Sequence, residues 1–71
     1  MLGDREALVV DVRPFDVHGV PYADVTVAYR DRRVETARLG RESMPADLQP
    51  GEEVLVSTAV NMIVAIRRSG A

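Results

Sequence analysis

Residues 22–29 read Tyr22-Ala23-Asp24-Val25-Thr26-Val27-Ala28-Tyr29, and the order of these side chains decides the fold class. Ala23, Val25, Val27 and Tyr29 fall on one side of an extended chain, and Tyr22, Asp24, Thr26 and Ala28 fall on the other. Period two is the signature of a half-buried strand, whereas a helix repeats its apolar positions every three or four residues. The composition agrees. Valine occupies twelve of 71 positions, and Ile63, Ile66, Thr26, Thr36 and Thr58 add to a β-branched set that suits pleated sheet.

Upstream, His18-Gly19-Val20-Pro21 joins a permissive residue to one with a fixed φ, so the chain reverses near Gly19. Before that turn, residues 7–13 alternate with Leu8, Val10 and Val12 on the expected core face and Asp11 and Arg13 opposite. Downstream, Arg30-Asp31-Arg32-Arg33 is short and charged, and reads as the tip of a hairpin leading into a third strand over residues 34–40. Val34 and Leu39 have opposite parity, so burying both requires a bulge in that strand.

The β pattern stops between Gly40 and Gly51. Ser43 is placed to cap a turn of helix over Pro45-Ala46-Asp47-Leu48, with Leu48 anchoring it to the core and Pro50-Gly51 closing the loop. Residues 53–58 and 61–67 are two more strands around Ala59-Val60. Five strands with one short helical turn between the third and fourth predict an all-β domain spanning 1–71, built as a small barrel that hides its edges. The order is OB-like, and an SH3-like barrel is the alternative.

Met44-Pro45-Ala46-Asp47-Leu48-Gln49-Pro50-Gly51-Glu52-Glu53-Val54-Leu55-Val56 resembles the polar loop and following strand of small OB barrels, including the interdomain barrels of actinobacterial proteasomal ATPases and those appended to transporter ATPases. The resemblance covers thirteen of the 71 residues. It implies assembly into rings or dimers through the barrel. The nucleotide-binding motifs of such proteins are absent, so no nucleotide chemistry is implied.

Composition narrows the chemistry. With 46% hydrophobic and 28% charged residues the chain is expected to fold, and 71 residues leave room for one core. There is no cysteine, hence no thiolate or disulfide. His18, the single histidine, has no second imidazole and reads as a turn residue rather than a metal ligand. Glu52 and Glu53 are adjacent in a strand and point to opposite faces, so they do not share a proton. Neither a glycine-rich phosphate loop nor a nucleophile elbow is present. The expectation is a protein that is not an enzyme and takes no cofactor. No apolar run approaches the roughly 18 residues of a membrane helix, and residues 1–6 do not form a secretory signal, so a cytoplasmic location without membrane contact is expected.

Two surfaces then compete. Met62-Ile63-Val64-Ala65-Ile66 is apolar at every position, which in a strand means that both faces are covered. The expected cover is a second copy or another protein, with Met62, Ile63, Val64 and Ile66 at the interface. Net charge is −2, but its distribution is segregated: residues 30–41 carry a local excess of three positive charges between two acidic stretches, and all nine basic residues are arginine. Arg30, Arg32, Arg33, Arg38 and Arg41, with Tyr22 as a stacking ring, form the alternative surface, suited to single-stranded nucleic acid.

Overall fold

A computed structural model describes residues 2–69. The order is β1 (Leu2–Val17), β2 (Val20–Tyr29), β3 (Val34–Gly40), a single 3₁₀ turn (Arg41–Ser43), β4 (Glu53–Ala59) and β5 (Met62–Arg68). All five strands belong to one antiparallel sheet ordered β3-β2-β1-β4-β5. β1 is 16 residues long and serves two partners: its first half pairs with β4, and its length from Ala7 onward pairs with β2. No helix among the described residues is long and apolar enough to cross a membrane.

The expected barrel is not closed by hydrogen bonds. β3 and β5 stand at the two ends of the strand order and have no ladder between them, although the sheet curls far enough to bring them into contact. The 3₁₀ turn lies against both. Beyond Val9 the edge of β1 that faces β4 also has no strand partner, because β4 pairs only as far as Leu8 and the chain from Gly51 closes on Val9.

The core is a valine-rich cluster in which Val9, Val25, Val27, Val54 and Val56 are almost completely enclosed. β2 alternates as its sequence predicts. β1 does not. A bulge between Val9 and Asp11 leaves Val10 outside the ladder, so odd-numbered residues face inward before it and even-numbered ones after it. Val9 and, in part, Val12 are therefore inside, while Leu8 and Val10 are 45% and 49% exposed, which corrects the expected core face. The bulge expected in β3 is not there: β2 and β3 pair without a break, Leu39 is buried and Val34 is exposed.

The helical turn also falls earlier than the sequence implied. It covers Arg41–Ser43, Ser43 lies inside it, and the residue before it, Gly40, makes no side-chain cap. Proline explains the shift. The ring of Pro45 disfavours helical backbone in the residue before it, and Met44 is extended at φ −151° and ψ 155°. Leu48 is buried, as an anchor should be.

The first two turns are where the sequence put them. His18 and Gly19 both take positive φ, 51° and 81°, the backbone of the tight hairpin turn whose twist matches its strands. Arg32 does the same in the second hairpin, where the Tyr29 amide donates to the Arg33 carbonyl at 2.9 Å. The last hairpin turns on Val60 and Asn61, one residue later than Ala59-Val60, at φ 50° and 63°.

Candidate interaction surfaces

The four residues expected at an interface separate into two pairs. Ile63 and Ile66 belong to the core, 8% and 4% exposed, while Met62 and Val64 are 67% and 41% exposed. Their separation is set by register. Ser57 faces Ala65 and Thr58 faces Ile63, so Val64 is the extra residue of a bulge and the parity of β5 switches there. A run apolar at every position is thus sheltered on one side by its own fold, which leaves Met62 and Val64 as the exposed apolar residues of that strand. The hairpin tip adds Val60, 81% exposed, which sequence reasoning had assigned to the turn alone. Met62 and Val64 therefore lie on an edge strand, with Val60 in the adjacent turn and no charged side chain from Thr58 to Ala65.

The arginine block does not form one patch. Arg30, Arg32 and Arg33 sit at the β2–β3 tip, and Arg38 and Arg41 lie towards the other end of β3, across a seven-residue strand of roughly 20 Å at about 3.3 Å per residue. Arg30 donates to Glu6 at 3.2 Å. Arg38 pairs with Asp24 at 3.1 Å, and that hydrogen bond holds its guanidinium above its ordinary ionisation range. Arg32, Arg33 and Arg41 have no ion-pair partner among the described residues.

Tyr22 stands apart from the tip and has an aromatic neighbour that the charge pattern did not single out. Phe15, opposite it in β1, stacks on Tyr22 with ring centroids 5.9 Å apart and planes inclined by 24°. The Arg38 guanidinium lies 4.4 Å over the Phe15 ring. Cross-strand pairing brings these three together: residues 15, 22 and 38 share the outward face of β1, β2 and β3. Tyr29 is on the other face, buried beneath the Arg5 guanidinium at 4.0 Å. Burial, and then the neighbouring Glu35 carboxylate, pushes the Tyr29 phenol above its usual ionisation range.

A concavity not anticipated from the sequence lies where the β1–β2 hairpin projects beyond the 44–50 loop. It is an open cleft of about 660 Å³ whose walls include Pro14, Pro21, Tyr22, Met44, Pro45 and Leu48. Arg41 and Asp47 are its charged residues. The loop that forms one wall is fixed by Arg68, whose Nε donates to Glu52 Oε1 at 2.7 Å and whose Nη2 donates to the Ala46 carbonyl at 3.0 Å. The Gln49 amide donates to the other Glu52 oxygen at 2.7 Å. These bonds hold the Glu52 carboxyl below its usual range, Arg68 contributing most.

Comparison with protein-family models, curated proteins and solved structures finds no match for this chain.

Proposed function

We propose that this chain is a small OB-like module without catalytic chemistry that associates with copies of itself through its last hairpin. The observation that carries the reading is the combination of exposed Val60, Met62 and Val64 with the unpaired edge of β5. A strand edge without a ladder, flanked by apolar side chains, is a surface on which strands associate, and edges that avoid association bear charges or proline instead. A domain of this size also gains from burying further apolar area against a neighbour. Support for the OB-like architecture comes from the strand order, the long first strand shared between two partners, and the helical turn between β3 and β4 rather than before the last strand. The resemblance of residues 44–56 to ring- and dimer-forming barrels points the same way.

Sedimentation velocity from about 10 μM to 1 mM tests the reading, because an interface at the small end of the size range implies weak and concentration-dependent association. The mass should rise with concentration and stay monomeric in Met62→Asp. A wild-type chain that is a monomer throughout ends the proposal.

The Phe15, Tyr22 and Arg38 cluster favours a second reading, in which a single-stranded nucleic acid stacks on the outer face with Arg38 and Arg41 beside it. Binding of a labelled oligonucleotide should then weaken steeply with salt and be lost in Tyr22→Ala. Its absence at low salt removes this reading alone.

A further inference from the structure

We infer that Met62 is a peroxide-sensitive control point of the self-association proposed above: oxidation of its thioether to the sulfoxide in the free chain holds that chain unassociated. The inference rests on that reading and adds what regulates it. The chain has three methionines and no cysteine, so thioethers are the only sulfur that a peroxide can oxidise. Two of the three lie among the described residues, and their settings differ. Met44 packs against the core cluster just after the 3₁₀ turn, whereas Met62 is 67% exposed. A thioether must be reached before it reacts, so Met62 is oxidised ahead of Met44.

The step is an oxygen transfer. The sulfur lone pair attacks one oxygen of hydrogen peroxide, an S–O bond forms as the O–O bond breaks, and the departing hydroxide takes the proton of the transferred oxygen and leaves as water. Sulfur loses two electrons and the peroxide gains them. What the new oxygen then does depends on its surroundings. The backbone of Met62 pairs with Ala59 and its side chain stands outside the core, so the monomer loses no core contact. At the proposed contact the outcome is different. The exposed side chains of Val60 and Val64 beside it have no donor for a sulfoxide, and no charged residue occurs from Thr58 to Ala65. An acceptor enclosed among them gives up its water without replacement, while in the free chain it stays hydrated. Oxidation therefore penalises the associated state and spares the fold. Association in turn covers the sulfur, so the share of chains open to attack falls as concentration rises.

The test treats the wild type with dilute hydrogen peroxide at about 10 μM, where weak association leaves the chain free, and locates the added oxygen by peptide mass spectrometry. One oxygen atom should appear at Met62 before Met44. In sedimentation velocity the singly oxidised chain should show a dissociation constant raised at least about tenfold, as expected for an unpaired polar group in an apolar contact. Its circular dichroism and its dilute melting profile should be unchanged, and reduction by methionine sulfoxide reductases should restore assembly. Met62→Leu keeps the apolar volume without the sulfur, so it should assemble as the wild type does and go on assembling after peroxide. Equal oxidation of Met44 and Met62, undiminished assembly of the oxidised chain, or peroxide-induced loss of assembly in Met62→Leu overturns the inference and leaves self-association standing. A wild-type chain that is monomeric before any oxidation removes the underlying reading and this inference together.

Discussion

Two residues carry avoidable conformational or solvation cost. Val60 holds a left-handed backbone that asparagine adopts far more easily, and its side chain makes no compensating contact in the monomer because it is 81% exposed. Val60→Asn should stabilise the monomer by about 1 kcal/mol, a rise of roughly 4–8 °C in melting temperature for a domain of this size, while weakening self-association. A melting point that falls would mean that Val60 contributes to the fold through contacts of its own. Tyr29 is the second case. Its buried hydroxyl makes no hydrogen bond of good geometry among the described residues, so Tyr29→Phe removes an unsatisfied group and keeps the ring under Arg5. The substitution should leave stability unchanged or raise it by up to about 1 kcal/mol, whereas a loss above that in urea unfolding would reveal a bond to Glu35. The same scale shows what local sequence can and cannot say. Gly19 and the Arg30–Arg33 tip announce their turns by composition, but nothing in the letters of Val60 marks it as the residue that takes positive φ.

At the level of elements, the joint between the 44–52 loop and β5 determines whether the cleft keeps its shape. Arg68 bridges Glu52 and the backbone of residues 46 and 47 with a planar fork that lysine cannot reproduce. Arg68→Lys should speed amide exchange in the loop and leave the β1–β2 ladder unaffected. Unchanged loop exchange would show that Leu48 packing alone holds the loop. The acid response follows from the same joint and from Asp4, whose carboxyl is lowered first by the Ser57 hydroxyl and then by Arg67. Both carboxyls bind protons less readily folded than unfolded, so their contribution is complete above the usual carboxylate range of about 4–4.5 and is lost as pH falls through it and below. Urea midpoints should therefore drop between pH 7 and pH 3, and by less in Glu52→Gln than in wild type. An equal drop in both would assign acid sensitivity elsewhere. Element identity was legible in the sequence: five strands, their three hairpins and the irregular loop follow from alternation and turn chemistry. The place of the helical turn was missed because the effect of Pro45 on Met44 outweighed a favourable cap at Ser43.

For the whole molecule, the proposed self-association predicts a stability that depends on concentration. A neighbour that binds the folded chain alone raises its apparent stability by mass action, so the melting temperature should increase between about 10 μM and 1 mM for the wild type and remain flat for Met62→Asp. A flat wild-type profile would agree with a monomer. The candidate surfaces were legible only in part. Met62 and Val64 were visible as apolar residues in an apolar strand, but Ile63 and Ile66 could not be told apart from them, and the arginines looked like one block until a seven-residue strand separated them. The stacked Phe15 was hidden because its partner lies seven residues away, across the first hairpin, and becomes a neighbour only through strand pairing.

Five strands with turns at Gly19, at Arg30–Arg33 and near Val60 follow from the order of the residues, because period-two alternation and the breaks between apolar runs are local properties of neighbouring side chains. Which side chains of β1 and β5 face inward was settled only by strand pairing. The bulges at Val10 and Val64 arise where one strand carries a residue more than its partner can match, and each reverses the parity of everything beyond it, exposing Leu8 and enclosing Ile63 together with Ile66.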